Sequence, residues 1–177
     1  MGMDFPTVYP CDPEKNLDCG KVMCFKNGGP CHLTSHKEFC RTLKIQLDDF
    51  AYQPTRAHPD DAGLDLYSPV DKWVYANSRE IINTGVHVAI PKGFVGLITS
   101  KSGLMASGIT TRGTIDSGYT GSIQAVIYND GPEGYAVRKG QKITQLVIVP
   151  CLTPDMEIVP ELDETERGEN GFGSTGR

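Results

Sequence analysis

Ile123-Gln124-Ala125-Val126-Ile127-Tyr128 alternates in side-chain character, which suits a strand with one buried face. Outward from it lie further short β-branched runs. Ile81-Ile82, Val86-His87-Val88-Ala89-Ile90 and Val95-Gly96-Leu97-Ile98-Thr99 precede it, and Gln145-Leu146-Val147-Ile148-Val149 follows. Twenty glycines and twelve prolines punctuate the 177 residues between and around these runs. Short runs bounded by turn residues at intervals of about ten predict an all-β sandwich, barrel or jelly roll. The middle of the chain has no long helical periodicity, so the expected fold class is mainly β.

Composition narrows the partners. Seventeen Lys and Arg stand against 22 Asp and Glu, a mildly acidic balance. Duplex-binding domains carry a basic surface, so no nucleic-acid partner is expected. A nucleotide stays compatible, because a few placed donors hold a triphosphate whatever the net charge. No window approaches the roughly 18 apolar residues of a membrane span. The start, MGMDFPTVYP, lacks the basic and apolar segments of a signal peptide. A cytoplasmic (intracellular) protein with no membrane partner is the expectation.

Three zones divide the chain. Residues 1–41 hold five of the six cysteines and few apolar runs. Residues 42–162 carry the strand pattern, and residues 163–177 form a polar, glycine-rich arm. That arm has too little apolar surface to pack by itself, which predicts mobility until a ligand binds it.

Five segments follow one another through this pattern: Ala62-Gly63-Leu64-Asp65-Leu66-Tyr67-Ser68, Lys101-Ser102-Gly103-Leu104-Met105-Ala106, Gly113-Thr114-Ile115-Asp116-Ser117-Gly118-Tyr119-Thr120-Gly121, Gly140-Gln141-Lys142-Ile143-Thr144-Gln145-Leu146 and Arg167-Gly168-Glu169-Asn170-Gly171-Phe172-Gly173-Ser174-Thr175-Gly176. In order and spacing they closely resemble the five motifs of the trimeric dUTPase family, over about residues 44 to 176. A single glycine-rich segment is weak evidence; five in order with a GFGSTG tail are specific. The resemblance implies a distorted β-jelly roll, a homotrimer whose active sites draw motifs from all three chains, and hydrolysis of dUTP to dUMP and pyrophosphate.

Each position then acquires an expected role. Asp116 resembles the general base that activates water for attack at the α-phosphorus; by itself, Asp before Ser-Gly also reads as a hairpin turn. Tyr119 resembles the ring that packs on deoxyribose and excludes a 2′-hydroxyl, although a buried strand tyrosine is the commoner case. Backbone groups from Gly113 through Ile115 to Tyr119 would pair with uracil. Asp65 looks like the carboxylate that orients Mg²⁺ through water, and one carboxylate suffices for an ion held mainly by phosphates. Lys101, Ser102 and Gly103 would meet phosphate, with Ser102 donating to the bridging oxygen, and Gln145 resembles the α-phosphate contact. In the arm, Phe172 would stack on uracil, worth ~1–3 kcal/mol, while Arg167, Gly173, Ser174 and Thr175 bind the γ-phosphate and close the site.

Two positions depart from the family. Lys101 stands where arginine is usual, keeping charge but losing a planar bidentate fork. Gln141-Lys142 replaces an acidic-basic pair, a change expected at subunit or surface pairing rather than in the chemistry.

The cysteine-rich beginning lies outside the resemblance. Ser35 and Glu38 fit a capping box, so a helix starting near His36 would put His36 and Cys40 on one face. With Cys24 and Cys31 they make a set that a structural Zn²⁺ suits, yet the chain has no C-x₂-C and free thiols fit equally. A regulatory protein partner docking on this extension is a competing reading for the whole protein. Another is dCTP deamination on the same fold, which the residues around Ser102 and the GFGSTG tail disfavour.

Overall fold

The computed structural model describes residues 25–26, 29–30 and 42–168. Its architecture is mainly β, as the punctuated runs predict. Strands β1 (Phe25–Lys26) and β2 (Gly29–Pro30) form a small antiparallel ladder. The body is built from β3 (Lys44–Leu47), β4 (Leu64–Tyr67), β5 (Lys72–Val74), β6 (Ser78–Ala89), β7 (Phe94–Thr99), β8 (Ile109–Ile115), β9 (Ser122–Asn129), β10 (Tyr135–Val137) and β11 (Lys142–Pro150). One helical turn, α1 (Ser102–Met105), interrupts them.

Seven strands pair antiparallel in the order β3-β6-β9-β8-β7-β11-β4, and β5 pairs with β10 apart from them. The seven-stranded sheet curls because β8 changes partner along its length. Ile109, Thr110 and Thr111 pair with β9, and Arg112 through Ile115 pair with β7. Two cores line the curl. Leu64, Leu66, Val86, Val88, Ile90, Ile98, Ile123 and Leu146 form one, and Val74, Ile82, Ile109, Ala125, Ile127, Val137 and Ile143 the other. Strand β9 serves both: Ile123, Ala125 and Ile127 are buried while Gln124 faces solvent, the alternation legible in its sequence. Full burial of one such aliphatic side chain contributes about 1.5–3 kcal/mol.

Hydroxyl groups lock the corner where β7, β8 and β11 meet. Thr144 Oγ1 donates to the Thr99 carbonyl at 2.9 Å and lies 2.7 Å from Thr111 Oγ1. Ser100 Oγ accepts from the Thr111 amide at 2.8 Å and donates to its carbonyl at 3.0 Å. These bonds fix the chain immediately before Lys101 and Ser102.

After Pro150 the described residues contain no further strand. Leu152, Met156, Ile158 and Leu162 lie exposed on this stretch, Met156 and Ile158 almost completely (97% and 99%). The 1–41 extension is described only at β1 and β2. The helix expected near His36 lies outside the described residues, as do Cys24, Cys31, His36 and Cys40.

Candidate functional site

Strand pairing brings three of the sequence segments side by side. Gln145 on β11 stands opposite Asp65 on β4 and opposite Thr99 on β7, one residue pair from the turn into Lys101 and Ser102. The Gln145 side chain donates Nε2–H to the Ser100 carbonyl at 3.2 Å. It also lies directly on Gly63, where an added Cβ would come within 2.1 Å of Oε1. Glycine at 63 is therefore a condition for Gln145 to reach this place.

Asp65 is 2% exposed, yet it is charged. Lys101 Nζ donates to Oδ1, and Lys142 Nζ lies 2.8 Å from Oδ2. Burial pushes the carboxyl up, but the hydrogen bonds and charges of the two lysines outweigh it and hold Asp65 below the usual carboxylate range. The same contact raises Lys142 above the ordinary lysine value. Asp61 also acts on Lys142 through its charge, so the two lysines of this cluster face two carboxylates. Lys142 is the residue that sequence reading missed. Expected at a surface or subunit pair, it sits on the carboxylate assigned to the metal; the identity of its partner across the sheet leaves no local signal.

Lys101 caps α1 with extended backbone, and Ser102 opens the turn with its side chain exposed. An added Cβ at Gly103 would meet nothing within 4 Å, so a ligand has room beside it.

The third segment forms a separate wall. Residues 116–121 link β8 to β9, with the Tyr119 amide bonded to the Asp116 carbonyl at 3.0 Å. Tyr119 Oη donates to the Ser122 carbonyl at 3.0 Å, and its ring covers Gly121, where a Cβ would come within 2.4 Å of Oη. Thr114, Ile115, Asp116, Tyr119 and Gln124 line an open cavity of about 240 Å³. Gly113 pairs with Ile98 at the foot of this wall. Tyr119 remains 42% exposed, so it is a surface ring rather than a core tyrosine. No hydrogen bond or ion pair among these described residues joins Asp116 to Asp65, Lys101, Ser102 or Gln145.

The chain thus offers an open cavity with an exposed carboxylate and a cluster of lysines on one buried carboxylate beside the exposed Ser102. In comparison with known proteins, the dUTPase family model matches residues 50–176. The chain belongs to the dUTPase family. It is accordingly a hydrolase of the kind named deoxyuridine 5′-triphosphate nucleotidohydrolase. The relative of that name from Clostridium novyi is 47% identical over 140 residues, 77% of this chain and 99% of the relative. The one from Rattus norvegicus is 38% identical over 135 residues, 75% and 66% of the two chains. Among solved structures, the dUTPase of Staphylococcus bacteriophage 80alpha with dUpNHpp superposes with a TM-score of 0.73 at 34% identity, covering 77% of this chain and 99% of its own. A dUTPase from phage phi11 of S. aureus, described with a structural Mg(II) ion, gives 0.64 at 32% identity over 68% and 97%.

For a metal, no three His, Cys, Asp or Glu side chains gather among the described residues. Asp65, the carboxylate that the sequence resemblance links to Mg²⁺, has a lysine on each oxygen, so any role for it toward a metal carried by substrate phosphates is through the metal's waters and not by direct ligation. No helix among the described residues is long and apolar enough to cross a membrane. Arg167 is exposed near the end of the described chain. Phe172, Gly173, Ser174 and Thr175 lie outside the described residues.

Proposed function

We propose that the chain hydrolyses dUTP to dUMP and pyrophosphate, with Asp116 as general base, in a homotrimer whose sites are shared between subunits. The observation that carries this reading is a cavity that holds an exposed carboxylate and a tyrosine ring, on a chain whose lysines gather at Asp65. Asp116 and Tyr119 line an open cavity of about 240 Å³, while Lys101 and Lys142 hold Asp65 and Gln145 bonds to the Ser100 carbonyl. The exposed Met156 and Ile158 supply apolar surface for a trimer to cover.

The base enters beside Gly113, Ile115 and Tyr119, where strand β8 offers backbone donors and acceptors to the uracil edge. Tyr119 fills the space of a 2′-hydroxyl. Asp116, exposed to solvent at the cavity rim, accepts a proton from water as that water's oxygen attacks the α-phosphorus. The bond from the α-phosphorus to the bridging oxygen breaks, and pyrophosphate leaves with the electron pair. Ser102 donates to that bridging oxygen, and Gln145 donates to the α-phosphate. Bound Mg²⁺ would neutralise charge on the triphosphate, with Asp65 holding its water shell. Lys101 and Lys142 keep Asp65 ionised and oriented for that task. Arg167 and the arm residues Gly173, Ser174 and Thr175 take the γ-phosphate, and Phe172 stacks on the base.

Pyrophosphate release from dUTP, dTTP, dCTP and UTP with Mg²⁺ tests the reading. Release from dUTP alone, lost in Asp116→Asn, supports it. Ammonia from dCTP with the triphosphate intact would replace it by deamination. A folded protein that releases nothing from any of the four would shift the weight to a regulatory role through residues 1–41, which precede the family match.

A further inference from the structure

Strand β6 carries a bulge whose purpose the roles above do not explain. Asn83 pairs with Gln124 and His87 with Ser122, so four steps along β6 match two along β9. Gly85 takes φ +69° inside this bulge, a conformation other residues rarely adopt. Thr84 Oγ1 occupies the Ile123 carbonyl at 2.8 Å, and Asn83 Oδ1 accepts from the Gly85 amide at 3.0 Å and from Ser122 Oγ. The result turns the His87 ring toward the hairpin. Nδ1 lies 2.9 Å from the Thr120 carbonyl, the neighbour of Tyr119, and Nε2 lies 3.2 Å from Asp48 Oδ1. Asp48 is itself tied to the bulge through its amide, 2.9 Å from the Gly85 carbonyl.

Both partners of this imidazole are acceptors. A carbonyl oxygen and a carboxylate oxygen each accept, so both bonds form together only when both ring nitrogens carry a proton. Neutral histidine has a single N–H and keeps only one of the two bonds. We propose that His87, held by Asp48, is a positioning residue that fixes the Tyr119-bearing hairpin through Thr120, and that its protonation sets the affinity for the base.

The charge environment agrees with the geometry. The hydrogen bond to the Thr120 carbonyl raises His87 above the ordinary value of 6.5, partial burial opposes it, and the bond and charge of Asp48 add to the rise. Among the described residues Asp48 is the charged group facing the ring; β3 sets uncharged Gln46 opposite it and β9 sets Ser122. With the folded value raised, the clasp is complete below about pH 6.5 and opens as pH climbs through the folded value.

This proposal rests on the reading that the hairpin binds the base of dUTP, so its test has an arm free of turnover. In steady-state assays on the full chain, KM for dUTP should rise about three- to tenfold between about pH 6 and pH 9, the equivalent of one net hydrogen bond. His87→Gln should hold KM at the high-pH value throughout, with kcat little changed. Asp48→Asn, which keeps an acceptor but drops the charge, should move the midpoint to lower pH. In the second arm, backbone amide resonances of Tyr119, Thr120 and Gly121 should titrate in the unliganded protein and stay still in His87→Gln. Identical KM profiles in wild type and His87→Gln overturn the proposal, as do hairpin amides that respond to pH alike in both. Titrating amides without dUTP turnover would keep the clasp and reject the dUTP reading.

Discussion

Asp65 and Asp116 are both carboxylates near the ends of strands, and the molecule treats them in opposite ways. Asp65 is buried, paired on both oxygens by lysines, and set in a strand whose neighbours fix it in register. Asp116 is exposed on a connection held by few bonds, those of Tyr119 and the Thr120 carbonyl. A group that only shapes a field benefits from rigidity and low dielectric. A group that must take a proton from water needs access to water. On the proposed mechanism this difference matches two different tasks, and substitutions should therefore fail differently at the two carboxylates.

The largest expected effect breaks the contrast at the exposed wall. Asp116→Asn should lower kcat for dUTP by about a hundredfold to ten-thousandfold, the range for loss of a general base. Its thermal midpoint should match wild type, because Asp116 is exposed and its neighbours use its backbone. A variant with both a lost midpoint and lost activity would mean that Asp116 holds the hairpin together.

Asp65→Asn attacks the buried carboxylate and, unlike Asp116→Asn, should lower the thermal midpoint as well as activity. Removing one member of a buried pair costs about 3–5 kcal/mol when the other is trapped. Here the lysine side chains are 30% and 42% exposed and can turn to water, which reduces the loss to about 1–3 kcal/mol. The pH dependence gives a sharper reading. A folded value below the ordinary 3.8 means that wild type has this stability above about pH 4 and loses it as pH falls toward the folded value. Denaturant midpoints from pH 7 to pH 2.5 should fall for wild type and fall less for Asp65→Asn. Equal slopes would show that the lysines leave Asp65 unperturbed.

Tyr119→Ala tests whether the exposed wall also selects the sugar. Selectivity for dUTP over UTP, taken as the ratio of kcat/KM, should drop about tenfold while turnover of dUTP persists. Retained selectivity would move sugar discrimination away from this ring.

Much of this was legible in the chain before folding. The alternation in Ile123–Tyr128 gave the buried face of β9, and the apolar runs at 86–90, 95–99 and 145–149 became β6, β7 and β11. Strand β3 was not visible in the same way. Lys44-Ile45-Gln46-Leu47 does alternate polar and apolar, but four residues make too short a run to mark a strand, and all four are exposed. The change of partner within β8 depends on curl, which no local run encodes. At the site, Asp116 and Tyr119 were picked out by the resemblance of their segment to a dUTPase motif, but the Lys142–Asp65 and His87–Thr120 contacts join residues far apart in sequence. Only strand register brings those together, and polar side chains carry no period that announces it.

The smallest expected effect concerns Lys101. Its ammonium shares Asp65 with Lys142, one cation on each oxygen. Arginine at this position offers a planar fork that can grip a carboxylate or a phosphate with two parallel bonds. If Lys101 serves mainly as charge, Lys101→Arg should change kcat/KM for dUTP by no more than about threefold, with a small gain in thermal midpoint from the better-satisfied carboxylate. If the compact ammonium is what lets two cations crowd one buried anion, the larger guanidinium displaces Lys142. The variant then loses midpoint and binds triphosphate more weakly. Isothermal titration with a non-hydrolysable dUTP analogue separates the two, because the first outcome leaves affinity near wild type and the second lowers it. The comparison with Asp65→Asn completes the argument: a Lys101→Arg change that vanishes when Asp65 is already Asn acts through that carboxylate, and one that persists acts on the phosphates directly.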